Sequence, residues 1–234
     1  MKHPHPLVPA QFDRRCNRFA ALVRLDGQSE YVHVPNSGRM WELLVPGAPV
    51  LLTPTPGADR RTRYCLSLVW HRRRWVGVDS RTPPSLLREA IEAGRLSNWA
   101  SSRVVASEPA FGHGRLDLVV ERRGRPVLVE TKSVNCVVDG VALFPDAPTE
   151  RGVRHLVEMA EAARGGQELA VWFVVQRSDA RLCAPYWERD PALGEALLEA
   201  ARSGVEVSAC RCRVGAAGIA ITHEIPVRLQ RPAE

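Results

Sequence analysis

With 234 residues, 45% of them hydrophobic and 25% charged, the chain has the composition of a globular protein with one large domain or two modest ones. No apolar run approaches the roughly 18 residues of a membrane span, and the N-terminus has no signal-peptide core, so we expect a cytoplasmic protein with no membrane partner. The net charge is +6, and the six cysteines contain no C-x-x-C pair, which favours free thiols over zinc ligands or disulfides.

The positive charge is concentrated in the N-terminal third. Residues 1–78 carry 12 Lys and Arg against 5 Asp and Glu, a net charge of +7, whereas residues 79–234 carry 20 against 21, a net charge of −1. This asymmetry favours a polyanionic partner, nucleic acid before an anionic membrane surface. A surface made soluble by arginine is the alternative explanation.

Short strands dominate the N-terminal third. Residues 14–25 are predicted as one strand, which turns at Asp26-Gly27 into a second strand at 28–34. Further strands are expected at 48–53, 62–70 and 75–78, and five short strands favour a small closed barrel of the OB-like type. Such barrels bind nucleic acid through basic grooves and aromatic rings. The stacking candidates, each of which is a core residue in the alternative interpretation, are Tyr31, Trp41, Trp70 and Trp75.

Helices and strands alternate after residue 80. The predicted elements are a helix at 85–94, a hairpin at 115–134, an extension of that sheet at 136–144, a helix ending at Gly165, a central strand at 168–176, a helix from Asp190-Pro191 to Gly204 and two strands at 205–214 and 219–227. This order indicates an α/β sheet with helices on both faces. We therefore predict two domains, a barrel at 1–80 and a mixed α/β domain at 81–234.

The hairpin at 115–134 carries the candidate chemistry. Asp117 lies near the start of its first strand, while Glu130 and Lys132 lie two apart on the second and point to one face, with Thr131 on the other. Two carboxylates suit a hard cation such as Mg²⁺ or Mn²⁺, and a compact ammonium suits the attack of water on a phosphodiester. Lys132 is one of two lysines among 32 basic residues, and arginine does not replace lysine where a small ammonium is needed. The alternative is an ordinary solvated hairpin.

The order of elements over residues 84–176 resembles the core of PD-(D/E)xK nucleases, with an Asp on the second core strand and E-x-K on the third. That resemblance implies that Asp117 and Glu130 hold Mg²⁺ or Mn²⁺ and that Lys132 takes part in catalysis. It also implies an earlier acidic ligand, for which Glu108 is the candidate.

Four segments carry a resemblance to a known family. They are H-V-P-N-S-G-R-M at 33–40, R-L-D at 115–117, V-E-T-K-S-V at 129–134 and F-P-D-A-P-T-E-R-G-V-R-H-L at 144–156. Together they resemble the sugar fermentation stimulation protein family of bacteria and archaea. The resemblance implies an N-terminal OB-like domain, a nuclease-like C-terminal domain, DNA binding and a role in regulating sugar metabolism. Here E-T-K replaces the family's usual E-V-K, a small departure if Thr131 faces away from the site.

Two functional hypotheses remain open, and a small-molecule or RNA-processing role is the least favoured. In the first, the protein is a Mg²⁺-dependent enzyme that hydrolyses phosphodiesters; in the second, the same fold binds DNA without cutting it. The loop at 35–39 offers donors to phosphate, although its residues also suit plain turn chemistry. The predicted nucleic-acid contacts are Asn36, Ser37, Arg39, Arg60, Arg61, Arg63, Arg72, Arg73, Arg74, Arg151 and His155, the last two sharing a helix face at i, i+4.

Overall fold

The computed structural model describes residues 1–55 and 61–231. Its first six strands are β1 (Val8–Asn17), β2 (Ala20–Leu25), β3 (Gln28–His33), β4 (Pro49–Pro54), β5 (Tyr64–His71) and β6 (Arg74–Gly77). They lie in the order β3-β2-β1-β4-β5-β6, and a bridge between His33 and Cys65 joins β3 to β5. β1 to β5 therefore form a closed five-stranded barrel, as the sequence predicted.

The membership of the barrel differs from the prediction in two places. Residues 14–25 are not one strand, because the chain reverses at Arg18 and Phe19, between β1 and β2. The side-chain oxygen of Asn17 accepts the N–H of Phe19 at 2.8 Å, which forms a tight turn without glycine or proline. The strand predicted at 75–78 is β6, which lies outside the closed ring, and Gly77 donates its N–H to the carbonyl of Gln176 in the second domain at 2.8 Å.

One side of the barrel packs on the second domain. Leu52 and Leu66 point into the barrel core, whereas Leu51 and Leu68 belong to the core of the α/β domain. Because alternate residues of β4 and β5 are buried on opposite faces, both strands are apolar along most of their length rather than alternating.

The second domain contains a six-stranded sheet with helices on both faces, as predicted. Its elements are α1 (Pro83–Glu92), a 3₁₀ turn (Ser97–Trp99), β7 (Arg103–Ser107), β8 (Ala110–Phe111), β9 (Gly114–Arg115), β10 (Leu118–Arg122), β11 (Arg125–Val134), β12 (Cys136–Val138), β13 (Val141–Phe144), α2 (Glu150–Arg164), β14 (Leu169–Val175), β15 (Leu182–Pro185), α3 (Pro191–Arg202), β16 (Glu206–Gly215) and β17 (Gly218–Ile225). The sheet order is β17-β16-β14-β11-β10-β7. α1 and the barrel cover one face, and α2 and α3 cover the other.

The segment from 136 to 144 does not extend this sheet, and that prediction is wrong. β12 and β13 leave it and pair with β15, which the sequence did not indicate, in a separate three-stranded sheet. The chain turns away at Asn135, whose carbonyl accepts a hydrogen bond at 2.8 Å from the wholly buried guanidinium of Arg177. That hydrogen bond holds Asn135 in a non-strand position.

Two helix caps fix the loop that precedes α2. Thr149 accepts the N–H of Gly152 at 3.1 Å, and Asp190 accepts the N–H of Leu193 at 3.0 Å, so α3 begins at the predicted Asp190-Pro191. Asp190 is buried and also accepts the N–H of Thr149 at 2.9 Å. The starts of α2 and α3 are thereby tied together. Across the two described ranges, no helix combines the length and apolar character that a bilayer crossing requires.

Candidate active site and nucleic-acid interface

The end of the β10–β11 hairpin brings Asp117 and Glu130 side by side. Leu118 pairs with Val129, so Asp117 and Glu130 occupy the next position of the antiparallel ladder. β10 begins only at Leu118, and Oδ2 of Asp117 occupies the place of a strand partner. It accepts the backbone N–H of Thr131 at 2.7 Å and the hydroxyl of Thr131 at 2.6 Å.

Thr131 therefore contacts the site, and the expectation that it faces away is wrong. Strand alternation correctly separates the side chains of Thr131 and Glu130. It does not apply to Asp117, whose carboxylate reaches the hydrogen-bonding edge of β11. A valine in place of Thr131 would retain the backbone hydrogen bond and lose the hydroxyl, so E-T-K holds Asp117 more firmly than E-V-K would.

Glu130 is held by Lys132 and His155. Its Oε1 lies 2.6 Å from Nζ of Lys132 and 3.3 Å from Nδ1 of His155. The exposed fraction of the side chain is 10% for Glu130 and 16% for Lys132. Burial by itself raises the pKa of Glu130. The hydrogen bond from His155 and the charge of Lys132 outweigh that effect, so the pKa lies below its ordinary value.

Asp117 is shifted in the opposite direction. Burial, followed by the negative charge of Glu130, raises the pKa of Asp117 above its ordinary value, although Thr131 and Lys132 oppose the shift. Neighbouring carboxylates with pKa values moved apart are common in catalytic sites. A cation between Asp117 and Glu130 would relieve the repulsion between them.

The donor set fits a hard divalent cation. In the hydrogen-bond network of the described chain, Oδ1 of Asp117 and Oε2 of Glu130 receive no protein donor, which leaves one oxygen of each carboxylate for a ligand. Mg²⁺ is commonly bound by one or two carboxylates, with water and phosphate completing the shell. No group of three or more His, Cys, Asp or Glu suited to a metal occurs in the ranges 1–55 and 61–231.

The structure does not bring the carboxylate of Glu108 into this group. The backbone N–H of Glu108 donates to the carbonyl of Asp117 at 2.9 Å, but its side chain is exposed and lies 3.5 Å from Arg115. A role for Glu108 as a third ligand stays a prediction.

Arg151 and His155 lie one turn apart on α2, as predicted, but their environments differ. Arg151 is exposed, whereas His155 is buried against Glu130. His155 is therefore a neighbour of the carboxylates. The i, i+4 spacing showed only that both residues lie toward one side of α2.

A cleft of about 830 Å³ lies between the barrel and the α/β domain. Its walls are residues 36–38 of the barrel, residues 130–135 at the end of β11 and residues 143–152 before and within α2. Glu130 and Lys132 open into this cleft, whose volume is in the range of ligand-binding sites.

The loop at 35–40 is held from both sides of the cleft. The guanidinium of Arg15 donates to the carbonyls of Asn36 and Arg39 at 2.7 and 3.1 Å, and Asp146 accepts the N–H of Met40. Asn36 donates to the carbonyl of Val78 at 3.0 Å and accepts the N–H of Gly38 at 2.8 Å. These contacts support the turn-chemistry alternative for Asn36. Ser37 and Arg39 are exposed, and their contact with nucleic acid stays a prediction.

Asn36→Ala is expected to lower the free energy of unfolding by about 2 kcal/mol, because the buried Val78 carbonyl and the N–H of Gly38 lose their partner. Ser37→Ala, at the exposed neighbouring position, is the control and should change stability by less than about 0.5 kcal/mol. Chemical denaturation measures both. DNA binding per folded molecule should be unchanged in Asn36→Ala, and equal stabilities of the two variants would contradict the assignment.

The predicted arginine contacts fall into two groups. Arg39, Arg61, Arg72 and Arg73 are exposed. Two others are paired with carboxylates: Arg63 with Glu30 at 2.6 Å, and Arg74 with Asp179 at 3.1 Å. Arg60 lies outside the described residues.

Three of the four predicted stacking residues are exposed. They are Tyr31, Trp41 and Trp70, while Trp75 is half-buried and packs edge-to-face on Trp70 at 5.0 Å; none of the four lines the cleft. The exposed aromatic that lines the cleft is Phe19. Sequence reasoning missed it by placing it inside a continuous strand, and the Asn17-Arg18-Phe19 turn was the available signal.

These elements define a class, the two-domain proteins in which an OB-like barrel precedes a mixed α/β domain. Residues 14–78 match the family described as the SfsA N-terminal OB domain, and residues 81–218 match the sugar fermentation stimulation protein RE domain. The chain belongs to the sugar fermentation stimulation protein family.

Related proteins align with this chain over nearly their whole length. The sugar fermentation stimulation protein homolog of Natranaerobius thermophilus is 41% identical over 232 residues, 97% of each chain. The homolog of Symbiobacterium thermophilum is 44% identical, with 99% of this chain and 100% of that one covered. The solved structure of Pyrococcus furiosus SfsA in complex with Ca²⁺ superimposes with a TM-score of 0.90 at 32% identity, over 97% of this chain and 99% of that chain.

Proposed function

We propose that this protein is a Mg²⁺- or Mn²⁺-dependent hydrolase of phosphodiester bonds in DNA. The observation that carries the proposal is the group of side chains at the hairpin end, where two neighbouring carboxylates each keep an oxygen for a ligand and a largely buried ammonium lies 2.6 Å from one of them. The related SfsA of Pyrococcus furiosus was solved in complex with Ca²⁺, a cation that also takes oxygen ligands, which supports the choice of cofactor.

Each residue has a distinct task in this proposal. Asp117 and Glu130 would hold the cation, which when bound supplies a Lewis acid and acidifies water. Lys132 would stabilise the negative charge that develops on the phosphate. Thr131 orients Asp117 and His155 orients Glu130, as the hydrogen-bonded supports of metal ligands do.

The second candidate is a DNA-binding protein that regulates sugar metabolism genes without cleaving DNA. One observation favours it: Thr131 gives Asp117 two hydrogen bonds, so Asp117 has a structural role at the strand end that needs no cation. The charge of +7 on residues 1–78 suits a polyanion in either case.

Cleavage and metal-binding measurements on the wild-type protein separate the two candidate functions. The protein is incubated with single- and double-stranded DNA and RNA in Mg²⁺, Mn²⁺ or EDTA, and Mn²⁺ binding is measured by calorimetry. Cleavage that needs the metal and stops in EDTA is expected. No cleavage with any divalent metal, together with no metal binding, defeats the enzyme and leaves the DNA-binding protein.

We also propose that the protein acts in the cytoplasm. None of its six cysteines, all of which lie in the described residues, forms a disulfide, and five of them are buried. Reducing compartments keep cysteines from forming disulfides, so this pattern suits a cytoplasmic protein.

The turn between β5 and β6 carries two exposed arginines, through which DNA binding by the barrel can be tested. Arg72 and Arg73 both have positive φ, 45° and 65°, in a two-residue hairpin turn that favours Asn-Gly. Non-glycine residues in this conformation cost on the order of 1 kcal/mol or more each, and both side chains are exposed, so local stability does not explain two arginines. We infer that their charges contact DNA phosphates.

Replacing Arg72-Arg73 with Asn-Gly is expected to raise the free energy of unfolding by about 1 kcal/mol and to weaken DNA binding. The slope of log affinity against log salt should fall by about two, because two phosphate contacts are lost. Fluorescence anisotropy over a salt series measures it. A Lys-Lys replacement keeps the charge and should bind as the wild type does; an Asn-Gly variant with an unchanged slope contradicts the contact.

A further inference from the structure

Phe19 is an exposed aromatic ring that lines the interdomain cleft. It is 49% exposed, and Arg18 lines the cleft beside it. Trp41 is 64% exposed on the same barrel, but among the described residues it is not part of the cleft wall. A single exposed apolar residue is ordinary on a protein surface. Phe19 differs in the position of its ring in the cleft wall and in the turn that carries it.

The turn that carries Phe19 is rigid. Its N–H donates to Asn17 at 2.8 Å, its carbonyl accepts the N–H of Val34 at 2.8 Å, and the guanidinium of Arg15 donates to the adjacent carbonyl of Arg18. The backbone is fixed on three sides, yet the ring is not packed into the barrel core. A ring on a backbone that is already fixed loses only side-chain freedom when a ligand covers it, which favours binding.

The volume of the cleft indicates which form of nucleic acid it could hold. Its volume of about 830 Å³ is in the range of small-ligand sites. It suits one or a few unstacked nucleotides better than a B-form duplex, whose major groove alone is about 12 Å wide.

The lining of the cleft suits a single strand. Its charged side chains are three cations and three carboxylates: Arg18, Lys132, Arg151, Glu130, Asp146 and Glu150. Lys132 is paired with Glu130 at 2.6 Å, which leaves the exposed Arg18 and Arg151 for phosphates. Ser37 adds an exposed hydroxyl. An aromatic platform with arginine beside it is a feature of surfaces that bind single-stranded nucleic acid without sequence preference.

We propose that the cleft takes a single polynucleotide strand and that Phe19 stacks on one of its bases. The proposal rests on the proposed function for the presence of nucleic acid in the cleft. It adds the strandedness of the substrate and the contact that holds it. A base held by Phe19 leaves the adjoining backbone to follow the cleft toward Glu130 and Lys132.

The test uses the full chain in EDTA, so that binding is measured without cleavage. Fluorescence anisotropy compares labelled oligothymidylate, oligouridylate and a DNA duplex of the same length. Single strands should bind more tightly than the duplex, with the deoxy and ribo strands distinguishing DNA from RNA. Phe19→Ala should weaken single-strand binding about tenfold, and Phe19→Tyr should retain it. Val45→Ala, which shortens an exposed apolar side chain of the barrel domain outside the cleft, is the control and should stay within about twofold of the wild type.

A second readout reports stacking itself. The fluorescence of a 2-aminopurine base in the single strand should change on binding to the wild type and to Phe19→Tyr, but not on binding to Phe19→Ala. A duplex preference of the wild type, or wild-type single-strand affinity of Phe19→Ala, overturns the proposal. A protein that never cleaves yet shows the Phe19 effect retains this proposal while the hydrolase fails. A protein that cleaves normally and is indifferent to Phe19→Ala rejects this proposal alone.

Discussion

Asp117→Asn is expected to abolish metal-dependent cleavage while making the metal-free protein more stable. Burial and the charge of Glu130 raise the pKa of Asp117, so the folded state holds that proton more tightly than the unfolded state and ionised Asp117 costs stability at neutral pH. Asparagine removes the charge and keeps an oxygen that can accept both hydrogen bonds from Thr131. Loss of the cation ligand should lower cleavage by more than about 100-fold.

Thermal unfolding in EDTA and in Mn²⁺ measures both effects. The melting temperature of the wild type should rise with Mn²⁺, because a ligand of the folded state stabilises it. That of Asp117→Asn should be higher in EDTA and insensitive to Mn²⁺. DNA binding in EDTA should be unchanged or tighter, since one repulsion toward phosphate is gone.

Glu130→Gln is the matched control and should change stability in the opposite sense. The pKa of Glu130 is lowered, so its ionised form stabilises the fold above its unfolded pKa, and this contribution disappears as the pH falls through the folded pKa. Glutamine leaves the largely buried Lys132 without a carboxylate, at a cost of about 3 kcal/mol. If Asp117→Asn instead loses stability and DNA binding together, the hairpin is purely structural.

Lys132→Arg is expected to lower cleavage by about 100-fold or more with little change in DNA binding. The ammonium lies 2.6 Å from Oε1 of Glu130 in a largely buried position, where a wider planar guanidinium cannot take the same place. Steady-state cleavage rates and anisotropy in EDTA measure the two effects.

The second lysine of the chain provides the control. Lys2 is exposed, so Lys2→Arg makes the same chemical change away from the hairpin and should leave cleavage and binding unaltered. A Lys132→Arg variant that cleaves at the wild-type rate would show that any positive charge suffices and would remove the compact ammonium from the proposal.

Local patterns in the sequence determined much of the architecture. The wholly apolar run at Leu169–Val175 is the central parallel strand, because a strand covered by helices on both faces has no polar side. Asp190 and Pro191 begin α3, because capping needs only neighbouring residues. The turn at Arg123-Gly124 sets the register that places Asp117 next to Glu130. The helix start and the turn depend on interactions within a few residues, and the strand is marked by the composition of one segment, so a sequence displays all three directly.

Only the tertiary structure decided the environment of the site. The hydrogen bond from Arg177 that turns the chain away at Asn135, the burial of His155 on Glu130 and the contact of Asn36 with Val78 join residues 42, 25 and 42 positions apart. Thr131 reaches Asp117 because β10 begins one residue after Asp117 and leaves the N–H of Thr131 to a side chain. The cleft needs the barrel, the hairpin end and α2 at once. Spacing along one strand or helix predicts which residues share a face, but long-range packing decides what that face meets.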